Sequence, residues 1–86
     1  MSKEILDNIQ VWLMYVVSSL VHSPEDIKLD AKIDEMGILF TISSPNKKVL
    51  GILIGENGSH VNALRTILRT HGHLKGVKAS LKVITE

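Results

Sequence analysis

Cysteine is absent from the 86 residues. That excludes a disulfide framework, thiol catalysis and any zinc or iron-sulfur site held by sulfur, and it fits a reducing compartment. Aromatic residues are scarce, with one tryptophan, one tyrosine and one phenylalanine, so a ring platform for stacking bases has little to draw on. Trp12, Tyr15 and Phe40 are all expected in the core. Long hydrophobic runs are missing too: the longest, Val11 to Val17, is seven residues, against the ~20 that a membrane-spanning helix needs. No membrane partner is expected. Glu4 and Asp7 stand where the basic leading region of a secretion signal belongs, so the chain reads as cytoplasmic.

Neither sign of charge dominates, with ten lysines and arginines against nine acids and a net charge of +1. The balance conceals a split. Residues 1–46 carry three lysines against seven acids, a net −4, whereas residues 47–86 carry seven basic residues against Glu56 and Glu86, a net +5. The length and the 44% hydrophobic content fit one small domain over residues 1–86 with one core.

In the first segment Ile5, Ile9, Trp12, Val16 and Leu20 recur at three- and four-residue steps, widened by Leu6, Leu13 and Val17, which predicts a core-facing helix over 4–21. Ser23-Pro24-Glu25-Asp26 predicts a single helical turn. Ile27, Leu29, Ala31 and Ile33 then alternate with Lys28, Asp30, Lys32 and Asp34 as a strand. A turn at Asp34 to Gly37 and the run Ile38 to Ile42 complete a hairpin. Ser44-Pro45 gives a second cap-plus-proline signal for a short helix over Asn46 to Ile54. Gly51 inside it costs roughly 1 kcal/mol relative to alanine, which points to close packing there.

After Gly55-Glu56-Asn57-Gly58, residues Val61, Leu64, Ile67 and Leu68 define a third helix that ends near Gly72. Val77, Ala79, Leu81 and Val83 alternate as a last strand, with Lys78 and Lys82 on its solvent side. The element order is α-β-β-α-α-β, an α+β chain with an N-terminal helix and strand over 4–33 and a βααβ unit over 38–84.

By themselves two glycines three apart serve any helix-helix turn. In this setting, however, Gly51-Ile52-Leu53-Ile54-Gly55-Glu56-Asn57-Gly58, with Val61, Leu64 and Arg65 beyond it, resembles the Gly-x-(Val/Ile)-Ile-Gly-x-x-Gly core of the KH family. The arrangement resembles type II, in which a helix and strand precede the βααβ unit, and the length is similar to small bacterial proteins made of one KH domain. The resemblance implies a three-stranded mixed sheet with three helices on one face, and binding of single-stranded RNA. The glycine loop would clamp the backbone of about four nucleotides while an apolar groove takes the bases.

Carried onto this chain, the implied RNA site includes Gly51 and gives Gly55 and Gly58 as points of backbone approach, with Asn57, Ser59 and loop amides as donors at a helix N-terminus. Ile52, Ile54 and Ile84 would support the bases. Lys47, Lys48, Arg65 and Arg69, with Asn62 on the same helix as the arginines, would flank the phosphates. Two positions depart from the family pattern: Glu56 stands where a basic residue is common after the first glycine, and Ile52 where lysine is frequent. A carboxylate beside a phosphate track repels it, which keeps open a second reading, a KH-fold protein-interaction module with reduced or lost RNA binding. The resemblance also implies self-association, or pairing with a larger KH-containing RNA-binding protein.

Other chemistries lack their residues. Gly51 to Gly58 has no Lys-Ser or Lys-Thr closing a phosphate loop. Ser59 and His60, adjacent on a helix, diverge by roughly 100° and cannot pair as nucleophile and base. His71 and His73 offer two metal ligands at most, with no acid near them in sequence. The chain reads as neither an enzyme nor a cofactor binder.

Overall fold

The apolar spacing of the first segment produces helix α1 (Lys3–Ser19), in a computed structural model that describes residues 3–85. Its buried stripe is Ile9, Leu13 and Val17, at four-residue steps, with Trp12 and Val16 half-buried beside it. The expected stripe is therefore turned by about one position, and Leu20 lies outside the helix and exposed. Tyr15 corrects the expectation for the aromatics. Two residues from Leu13 is roughly 200° around the helix, away from the core, and Tyr15 is 75% exposed. Phe40 is fully buried, and Trp12 stacks on His71 with ring centroids 5.1 Å apart.

Pro24–Asp26 form one 3-10 turn, closed by the Ile27 amide donating to Pro24 O. Strands β1 (Lys28–Asp34) and β2 (Gly37–Ser44) pair antiparallel from Lys28↔Ser43 to Asp34↔Gly37. The two-residue connection is held by the Met36 amide donating to Asp34 Oδ1 at 2.8 Å, as a short carboxylate in a turn does.

Helix α2 (Lys47–Ile54) starts later than the Ser44-Pro45 signal suggests. Ser44 still belongs to β2, and its hydroxyl accepts from the Asn46 amide. The cap is Asn46, whose side-chain oxygen accepts from the Lys48 and Val49 amides at 3.0 and 3.3 Å, satisfying donors that have no partner inside the helix. Its Nδ2 donates to Asp26 Oδ2 at 3.0 Å, tying the proline turn to α2.

Helix α3 (Ser59–Leu74) runs past Gly72, which is not its end. Gly72 is buried, and a Cβ there would lie 2.9 Å from Val77 O and 3.0 Å from the Ala79 side chain. Its service is the close approach of α3 to β3 (Ala79–Thr85). Strand β3 lies parallel to β2, from Ile38↔Ala79 to Ser44↔Thr85, giving the order β1-β2-β3. Parallel neighbours need a long crossover, and α2 with α3 supplies it.

Inward residues Ile38, Phe40, Ile42, Ala79 and Leu81 meet Ile9, Leu13, Val17, Val49, Leu53, Val61, Leu64 and Leu68 in one core. Lys28, Asp30, Lys32, Ser80 and Lys82 stay on the open face of the sheet. This is the α+β arrangement of a type II KH fold, three helices on one face of a three-stranded mixed sheet. Among the described residues no helix is long and apolar enough to cross a membrane.

Candidate nucleic-acid interface

Helix α2 ends at Gly55, whose amide donates to Gly51 O at 2.9 Å. The chain then reverses through a 3-10 turn at Glu56–Gly58. Three of its four loop residues have positive φ: Gly55 at 76°, Asn57 at 55° and Gly58 at 74°. Gly55, with ψ 170°, occupies a region essentially closed to residues with a Cβ. Gly58, with ψ 17°, is in the left-handed helical region that asparagine and aspartate also enter.

The loop uses the Gly58 amide on Gly55 O and the Ser59 amide on Glu56 O. Among the described residues no bond takes the amides of Glu56 and Asn57, and Gly58 gives α3 no side-chain cap. The positive end of α3's dipole thus stands beside free backbone donors, a combination suited to an anion.

His60, which sequence reasoning set aside, anchors this turn. Its Nδ1 lies 2.6 Å from Ile52 O; a carbonyl only accepts, so Nδ1 carries the proton and donates. The ring packs where a Gly55 side chain would be, 2.7 Å from the site of a Cβ. The glycine's missing side chain and the histidine's bond to the last turn of α2 therefore fix the loop together. No signal in the tetrapeptide reveals this, since His60 meets α2 only through the fold.

Beyond the loop, α3 runs alongside the edge strand β3. Arg65 Nε donates to Leu81 O, and its guanidinium also bonds Asn62 Oδ1, both at 3.3 Å. Two of its five N–H groups hold the side chain in place and the others stay available. Arg65 and Arg69 line a groove with Lys78, Ala79, Ser80 and Leu81. Lys78, assigned to the solvent side of the last strand, is thus brought to both arginines, while Lys82 stays on the open face.

The remaining expected residues fall into separate places. Ile52 and Ile54 are partly exposed on α2, at 39% and 38%. Ile84 sits two residues beyond Lys82 in the same alternation, on the open face, and is not brought to them. Lys47 and Lys48 begin α2, roughly 10 Å along its axis from Gly55, so they lie beyond the loop's immediate reach. Gly51 corrects the packing expectation: it is exposed, and a Cβ there would meet nothing within 4 Å. Glu56 is exposed in the loop.

Comparison with known proteins agrees with this architecture. Residues 11–83 match the family model described as KhpA/KhpB, KH domain. The RNA-binding protein KhpA of Chlamydia trachomatis is 31% identical over 75 residues, and that of Chlamydia pneumoniae 28% identical over 75; each alignment covers 87% of this chain and 95% of the relative. A crystal structure of Aquifex aeolicus Era bound to GDP.AlF4- superposes with a TM-score of 0.61 at 16% identity, covering 99% of this chain and 31% of that one, a likeness of fold. The extent of the family match places the chain in the KhpA/KhpB family of KH-domain proteins.

Proposed function

We propose that the chain binds single-stranded RNA, with a phosphate held at Gly55–Gly58 and the strand continuing along the groove between α3 and β3. The observation that carries this is the loop itself: Glu56 and Asn57 amides left free at the N-terminus of α3, with no side chain on either glycine to hold a backbone away. The cations Arg65, Arg69 and Lys78 continue the track, and the exposed faces of Ile52 and Ile54 offer apolar support for bases. The relatives named as RNA-binding proteins support the same reading.

One groove of this size binds weakly. The chain therefore works as a homodimer or with a larger KH-containing partner, where the second contact gains effective concentration, in cytoplasmic RNA metabolism or post-transcriptional regulation. Glu56 favours the second reading, a protein-interaction module whose loop has lost RNA.

Fluorescence-anisotropy titration of a short unstructured RNA separates the two. A Cβ at Gly58 would meet only Asn62 Nδ2 at 3.5 Å and Val61 Cγ1 at 3.9 Å, so Gly58→Asp should fold normally and lose binding. At ~5 Å in water-like dielectric a unit charge on phosphate is worth about 0.8 kcal/mol, so reversing its sign with Glu56→Lys should strengthen binding roughly tenfold at low salt. If the parent and the lysine variant both fail to bind while a protein partner co-purifies, the interaction-module reading replaces this one.

A further inference from the structure

We propose, as an extension that rests on the RNA reading above, that His60 selects RNA over DNA: its Nε2 accepts a hydrogen bond from a ribose 2′-hydroxyl of the strand held at Gly55–Gly58. Two observations meet here, the fixed tautomer of the ring and its place against the loop.

The tautomer is set inside the protein. His60 Nδ1 lies 2.6 Å from Ile52 O, and a carbonyl only accepts, so the ring proton sits on Nδ1. A neutral imidazole then carries a bare lone pair on its other nitrogen. Among the described residues nothing bonds Nε2, and the side chain is exposed. The bond to α2 thus holds the ring still and leaves one acceptor unused.

The ring lies at the edge of the clamp. His60 is in the first turn of α3, and its Cγ and Nδ1 are 2.7 and 2.9 Å from where a Gly55 Cβ would stand. A phosphate on the free Glu56 and Asn57 amides brings the sugars esterified to it beside this ring. Phosphate oxygens carry no hydrogen and offer nothing to a lone pair. The 2′-hydroxyl does, and it is the group by which a protein tells RNA from DNA.

The cations and apolar groups of the track are blind to the sugar. Arg65, Arg69 and Lys78 are donors, matched to phosphates that RNA and DNA share, and Ile52 and Ile54 present apolar surface. Asn62 Oδ1 is already taken by Arg65. Glu56 is an acceptor, but its charge repels the phosphate that would bring a sugar near it. Nε2 accepts without that repulsion, and because its ring is already held, little freedom is lost on binding.

Fluorescence-anisotropy titrations at neutral pH test it, with a short unstructured RNA and the DNA of the same sequence, uracil retained, so that only the 2′-hydroxyls differ. The parent should bind the RNA more tightly by roughly threefold to tenfold, the worth of one net hydrogen bond. In His60→Asn the amide nitrogen stands near the position of Nδ1 and can keep the bond to Ile52 O, while nothing replaces Nε2. That variant should keep its circular dichroism spectrum, bind DNA as the parent does and lose the preference for RNA. A histidine that only braces the loop would instead lower RNA and DNA affinity together on substitution. Replacing single riboses by deoxyribose along the RNA gives a second measurement: one position should cost the parent several-fold and cost His60→Asn nothing. A parent that binds RNA and DNA equally, an RNA in which no single deoxyribose matters to the parent, or a preference that survives His60→Asn overturns the proposal and leaves the RNA reading standing. A parent that binds neither nucleic acid overturns both.

Discussion

A methyl group added at Gly55 would sit 2.7 Å from His60 Cγ and 2.8 Å from its backbone nitrogen, at a φ and ψ that only glycine adopts readily. Four residues earlier the chain shows the reverse situation. His60 donates to Ile52 O, yet at neighbouring Gly51 open space surrounds the position of a Cβ. Gly51→Ala therefore has room, and it should stabilise the protein by about 0.5–1 kcal/mol through helix propensity and reduced unfolded-state entropy. Within the RNA reading the same methyl occupies space a ligand would approach, so affinity should fall several-fold. Denaturant melts and RNA titrations of one variant would thus move in opposite directions. A Gly51→Ala protein no more stable than the parent would mean that something other than helix propensity governs the site.

At the scale of elements, α2 is held at its start by a single side chain. Asn46 accepts two amides and donates to Asp26, so Asn46→Ala should cost about 1–2 kcal/mol. It should lower the midpoint of denaturant unfolding with an unchanged slope. The order of elements was readable from the sequence because periodicity carries it: steps of four in α1 and α3, alternation in β1 and β3. Boundaries were less readable where a tertiary contact decides them. Ser44-Pro45 resembles a cap, but Ser44 is claimed by β2, and Gly72 resembles a stop, but α3 passes it to reach Ala79. The loop of the candidate site stood out through its glycines. His60 and the gathering of Lys78 with Arg65 and Arg69 did not, because each depends on two segments meeting across the crossover.

For the molecule as a whole, cations of the second half of the sequence collect at one edge of the sheet. Strand β1 carries Lys28 and Lys32 beside Asp30 and Asp34 and is balanced, while the groove bearing Arg65, Arg69 and Lys78 lies beside the opposite edge strand, β3. A near-neutral chain thus presents a local positive track, which orients an approaching polyanion. Three cations along the groove imply a slope of log affinity against log salt of about −2 for a single strand. Titration at several ionic strengths would measure it, and a slope near zero would remove these residues from the binding track. The stack of Trp12 on His71 joins the first helix to the last, and Trp12 is the chain's one tryptophan. Its emission is consequently a built-in optical gauge of whether α1 is seated on α3, readable without a label while RNA, a second copy or denaturant is added.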